Sequence, residues 1–186
     1  FKWAEDALLT SPQSGIGTGA TSPIADTLTV LNPGKVYYFT AYAVKGAEYF
    51  YGDTLPLLTL PGITTNAAYE VVADAAILSS TYAADSIDGQ GFVWGQQRDL
   101  SDGSSVSADT TDGSTSIAYE LSGLASGEAH YFSAFASNAS GTMFGDTLSL
   151  VTRPGVTTVQ ANVLSSRAAT LNGTFAADSI AAQGFV

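Results

Sequence analysis

The chain has 186 residues, a formal net charge of −11, only six basic residues and no cysteine. So few cations cannot neutralise nucleic-acid phosphates or grip an anionic membrane surface, and without cysteine there is no disulfide or thiolate site. Hydrophobic residues make up 45% of the chain, enough for packed cores, yet no apolar run approaches the roughly 20 residues of a membrane-spanning helix.

Residues 1–60 are read against 94–153, because the chain repeats itself. Tyr51-Gly-Asp-Thr-Leu-Pro-Leu-Leu-Thr-Leu-Pro-Gly-Ile-Thr-Thr65 returns as Phe144-Gly-Asp-Thr-Leu-Ser-Leu-Val-Thr-Arg-Pro-Gly-Val-Thr-Thr158. Pro61 and Pro154 set a period of 93 (154 − 61), without a gap, and the chain length is two periods. Tyr82-Ala-Ala-Asp-Ser-Ile and Phe175-Ala-Ala-Asp-Ser-Ile keep the same offset.

The middle copy, 61–153, is whole and predicts the strands. Ala76, Leu78, Ser80 and Tyr82 alternate with Ile77, Ser79 and Thr81, the period of a half-buried strand. Gln90-Gly-Phe-Val-Trp-Gly95 is a short aromatic strand, with Phe92 and Trp94 on one face. Residues 99–114 are rich in Ser, Asp and Gly and read as loop with at most a weak edge strand. Ile117, Tyr119 and Leu121 alternate again, and Gly127 turns the chain into a strand over 130–137. Asn138-Ala-Ser-Gly141 then reads as a hairpin turn and 142–152 as its returning strand. Short strands with turn signals and no helical period predict an all-β sandwich, burying Leu78, Trp94, Leu121, Phe132 and Leu148 between two antiparallel sheets.

Residues 1–60 correspond to the C-terminal part of a sandwich repeat and 154–186 to the N-terminal part of another. The chain opens on Phe1 with no initiator Met and reads as an excerpt of something longer, a window of a tandem array in which Val186 runs on into the next Phe1. Closure of the two parts within one chain and strand donation between chains give similar contacts.

Leu121-Ser-Gly-Leu-Ala-Ser-Gly-Glu-Ala-His-Tyr-Phe-Ser-Ala-Phe-Ala-Ser-Asn138, and still more Leu28-Thr-Val-Leu-Asn-Pro-Gly-Lys-Val-Tyr-Tyr-Phe-Thr-Ala-Tyr-Ala43, resembles the corner and following strand of fibronectin type III-like domains. With the aromatic-Gly-Asp strand start, the pattern looks like the immunoglobulin-like modules that occur in tandem in bacterial surface and secreted proteins. The resemblance implies a corner tyrosine whose hydroxyl bonds nearby backbone. Tyr37 matches that position; His130 replaces it in the other copy.

His130 is the only histidine, at a structural corner, so no catalytic residue is expected. Gly15-Ile-Gly-Thr-Gly19 lacks the lysine and helix of a phosphate loop. Asp53, Asp85, Asp146 and Asp178 recur at positions that the resemblance places near the pole of a module. Carboxylates converging there suit Ca²⁺, the one cofactor left open; the plainer reading is that each Asp accepts backbone N–H bonds in a turn. Asn138 and Asn172 head glycosylation sequons, both expected to be accessible. Trp3, Leu8, Leu9, Tyr49 and Phe50 stand where the other copy has mostly smaller or polar residues and are expected to be contact residues or the core of a longer loop.

The function expected is non-catalytic: a structural or adhesive tandem-repeat module of a cell-surface or extracellular fibre. Its partners would be adjacent copies of the repeat and, by the aromatic residues, glycans. The rival reading is a carbohydrate-binding or spacer module of a secreted hydrolase.

Overall fold

A computed structural model describes residues 1–15, 22–108, 115–177 and 180–186. Every regular element among them is a β-strand, and no helix is long and apolar enough to cross a membrane. The first repeat contributes β1 (Lys2–Ala4), β2 (Gln13–Ser14), β3 (Val36–Thr40), β4 (Tyr42–Lys45), β5 (Glu48–Tyr51) and β6 (Leu55–Leu58). The middle repeat contributes β7 (Gly62–Tyr69), β8 (Ala75–Ala83), β9 (Gly89–Gly95), β10 (Ser104–Ser107), β11 (Ser116–Ser122), β12 (Ala129–Asn138), β13 (Gly141–Phe144) and β14 (Leu148–Val151). Two long strands follow, β15 (Gly155–Ser165) and β16 (Ala168–Ala176).

The middle repeat is a two-sheet sandwich. One sheet runs β10-β9-β12-β13 with β14 also on β12; the other runs β11-β8-β7. The alternation along β8 places Ala76, Leu78 and Ser80 inward, and all three are buried. Ala76 and Leu78 meet Phe92, Leu121, Leu124, Phe132, Ala134 and Leu150 in one cluster, with Trp94, Tyr119 and Leu148 packed against it. Leu148 and Leu150 point the same way because a strand repeats every second residue, and Leu150 takes the deeper place. The returning strand is two strands, broken at Gly145, whose N–H donates to Ala134 O at 2.9 Å. The weak strand expected within 99–114 is β10, paired antiparallel with β9; residues 109–114 lie outside the described set.

The first repeat builds one sheet, β2-β1-β3-β6, and a hairpin, β4-β5. The β3–β6 ladder reproduces β12–β14 residue for residue. Val36 pairs Leu58 and Phe39 pairs Leu55 in the first copy; Ala129 pairs Val151 and Phe132 pairs Leu148 in the second. Side-chain bonds repeat too. Thr40 Oγ1 donates to Gly52 O and Ser133 Oγ to Gly145 O, each at 2.8 Å.

The chain divides into two compact units, one of 1–62, 82–89 and 136–143, the other of 63–81, 90–135 and 144–186. The middle core lies wholly in the second. Phe132→Ala is expected to cost about 3–5 kcal/mol, the range for emptying a buried aromatic site, and Phe39→Ala clearly less, because Phe39 is only half-buried. Urea unfolding of each variant against the parent measures both.

Candidate functional site

Three surfaces stand out: a repeated joint, an aromatic hairpin and an apolar cleft.

The joint begins at the corner before β3. Tyr37 is buried, and its hydroxyl accepts the Asn32 N–H at 2.9 Å. In the other copy His130 is buried, and its Nε2 lies 3.2 Å from Ala125 O, to which it donates. The bond reverses direction: the phenol oxygen accepts from a backbone N–H, whereas the imidazole N–H donates to a backbone carbonyl. His130 Nε2 is thereby committed to structure. Its Nδ1, like Trp94 Nε1, is buried without a partner among the described residues, beside a cavity of about 290 Å³.

Gly34 and Gly127 turn each corner with φ of 62° and 71°. A Cβ on Gly34 would overlap the Ala84 methyl, and one on Gly127 the Ala177 methyl. Each corner therefore presses on the Ala-Ala step that recurs one period later. Gly62 packs beside Pro33 and Ala83, and Gly155 beside Ser126 and Ala176. In the first joint Asp85 N–H donates to Gly34 O at 3.0 Å, and the Lys35 ammonium lies 3.3 Å from the Asp85 carboxylate. That hydrogen bond and ion pair raise the lysine's pKa, so it stays charged through the physiological range.

Asn138 differs from expectation. It is 6% exposed, its Nδ2 donates to Thr59 O and its Oδ1 accepts from Ser140 N, each at 2.9 Å. A hairpin turn in sequence suggested an accessible side chain; here the turn is packed into the joint and both amide atoms are used. Asn172 is half-buried on β16, and its Nδ2 donates to Gln160 O at 2.8 Å.

Of the four aspartates, Asp85 is paired with Lys35, Asp53 and Asp146 are exposed, and Asp178 lies outside the described residues. Among the described residues no group of three or more His, Cys, Asp or Glu is placed to hold a metal ion.

The aromatic hairpin is particular to the first repeat. Tyr49 and Tyr51 stack at 6.1 Å with 14° between their planes, and Tyr42 leans on Tyr49 at 5.6 Å. Lys2 Nζ donates to the Tyr51 hydroxyl at 2.7 Å and sits 4.7 Å from that ring's centroid, a cation–π contact. The hydrogen bond raises the pKa of Lys2. Phe50 points to the opposite face, exposed like Tyr49. Leu8 is exposed at a turn, and Leu9 holds a left-handed φ of 51°. Trp3 is a different case. It pairs with Phe39 across β1 and β3, and its ring faces the cleft instead of an outer loop.

That cleft, of about 360 Å³, is lined by Phe1, Trp3, Asp26, Leu28, Leu31, Phe39 and Leu57. Its importance was missed in sequence, although the signal was present in the 93-residue register. Leu28, Leu31, Phe39 and Leu57 stand where the middle copy has Leu121, Leu124, Phe132 and Leu150, all core residues.

No protein-family model matches the sequence, and no curated protein matches it. Solved structures do. The sensor domain of the anti-sigma factor RsgI4 of Pseudobacteroides cellulosolvens is 14% identical over 50% of this chain and 94% of that one, with a TM-score of 0.42. The FN1–FN3 domains of chicken CNTN1 are 14% identical over 67% of this chain and 45% of theirs, with a TM-score of 0.36.

Three outcomes follow. Gly34→Ala and Gly127→Ala should each destabilise by more than about 1 kcal/mol, since the corner needs a left-handed backbone and has no room for a methyl; thermal melting reads this. With Lys35 compensating Asp85, EDTA should leave the Tm unchanged. Expression in a glycosylating host should add at most one glycan, at Asn172, because Asn138 is closed off; intact mass decides.

Proposed function

We propose that this protein is a non-catalytic structural module, a fibronectin type III-like repeat that stacks in series at a cell surface or in an extracellular fibre. The observation that carries the reading is the repeated corner. Gly34 on Ala84 and Gly127 on Ala177 are one contact made twice, 93 residues apart, with the same turn and the same small residues. A joint that recurs is a joint that can be extended. The corner tyrosine bond of Tyr37 supports the type III-like assignment. Pro61, fully buried, and Pro154 fix the backbone of each linker and limit rotation.

A second reading rests on the aromatic hairpin. Tyr42, Tyr49 and Tyr51 with Lys2 form an exposed stacking surface that the other copy lacks, having Phe135, Thr142 and Phe144 instead. Such a surface suits the apolar face of a sugar ring, and the protein would then be a glycan-binding module of a larger secreted chain.

Electron microscopy of the native protein separates the two. Rods or filaments built from a repeating module of this size are expected; dispersed particles that bind a glycan array, with binding lost in Tyr49→Ala, would replace the first reading by the second.

A further inference from the structure

We propose that the apolar cleft of the first repeat is a docking site for the β15–β16 hairpin of a second copy of this chain. The inference deepens the array reading above by naming the partner surface. It stands on a comparison the molecule makes with itself.

In the middle repeat the hairpin β7–β8 covers the core residues. The same register positions are exposed in the first repeat. Ile117 is 5% exposed and its counterpart Ile24 is 41%; Leu150 is 6% exposed and Leu57 is 38%. The covering hairpin shows the complementary defect. Leu78 of β8 is fully buried, whereas its counterpart Leu171 of β16 is 55% exposed, and Val156 of β15, matching the half-buried Ile63, is 76% exposed. Phe185, the counterpart of the buried Phe92, lies beside Gly173 on this same hairpin.

The backbone tells the same story. Residues 116–122 form β11 because they pair with β8, Leu121 opposite Ala76 and Ile117 opposite Ser80. Their counterparts, 23–29, are described and form no strand. The Thr27 N–H donates to the Asp26 carboxylate at 2.9 Å, and a segment without a ladder partner otherwise leaves its N–H and C=O groups to water. Moving the middle repeat's contacts by one period sets the docked register. Leu28 would lie opposite Ala169 and Ile24 opposite Gly173. Thr158 Oγ1 would accept the Ala41 N–H, as Thr65 Oγ1 accepts that of Ala134 at 3.0 Å.

Charge favours this occupant. The chain carries −11 overall, which sets copies against one another, yet residues 155–176 hold Arg167 and no acid. The segment that must approach is the one that escapes the repulsion. Cleft and hairpin are different surfaces, so the contact is heterologous and propagates head to tail.

The test uses the full chain and two charge insertions, Leu57→Asp in the cleft and Leu171→Asp on the hairpin. Light scattering after size exclusion should show concentration-dependent assembly of the parent and none of either variant alone. An equal mixture should give a one-to-one dimer and nothing larger, since one intact cleft and one intact hairpin remain. Amide exchange over 24–29 should slow about tenfold or more in the mixture. Because the chain has no native cysteine, Leu28→Cys and Ala169→Cys chains should also cross-link to each other under mild oxidation, a readout that survives if an aspartate variant misfolds. Monomeric parent protein with 24–29 already protected means that the hairpin closes on its own chain, and overturns the proposal. So does a mixture that neither pairs nor cross-links. Native filaments alongside Leu28→Cys and Ala169→Cys chains that fail to cross-link would sink the docking alone; docking in solution with no native filament would sink the array reading alone.

Discussion

A β-sandwich exists because one sheet cannot bury its own apolar face. Each strand here alternates inward and outward residues, so half of every strand needs a second layer some 10 Å away. The middle repeat meets that demand: Leu78 and Ala76 from one sheet close over Phe92, Phe132 and Leu150 from the other. Everything else in the molecule can be read from whether a given register position has found its opposite. Where it has, the residue lies in or against the buried cluster, on strands paired in a ladder. Where it has not, the same residue types sit half-exposed and the backbone of 23–29 forms no ladder.

The second constraint is the corner. The chain entering β3 and β12 must turn tightly and still leave room for Ala84 and Ala177, and two glycines with positive φ provide both the turn and the space. The identity of the corner side chain matters less than the bond it makes. Tyr37 accepts from an amide five residues back; His130 donates to the carbonyl of the residue five back. Thr59 and Thr152 brace the two corners alike, their Oγ1 atoms donating to Asn32 O at 2.8 Å and to Ala125 O at 2.6 Å. The same threonine hydroxyl thus ties the loop in both copies, whichever side chain stands at the corner.

The strands of the middle repeat were legible because their alternation is a local property, carried by a few consecutive residues such as 76–82. The corner was legible through Leu-x-x-Leu-x-Pro-Gly-x-x-Tyr, a spacing that also acts locally. What sequence missed is non-local. Asn138 looked like an exposed turn residue because its tie to Thr59 O crosses 79 positions. Trp3 looked like a loop residue because its counterpart at the repeat spacing is Gln96, a polar residue, although β1 places its ring over the cleft beside Phe39. In both cases the residue type was read correctly and its surroundings were not, because those surroundings come from elsewhere in the chain.

The two copies differ in a way that bears on function. Selection for a bare stacking unit would act alike on both hairpins, since both need only a soluble outer face. Instead the first repeat carries Tyr42, Tyr49 and Tyr51 held by Lys2, and the second carries a single Phe135–Phe144 pair at 6.1 Å. The lysine has no counterpart, Gly95 standing in its place. An exposed aromatic row braced by a cation loses little entropy when it is covered, because its side chains are already held. The joint is thus common to both repeats while the outer surface is not.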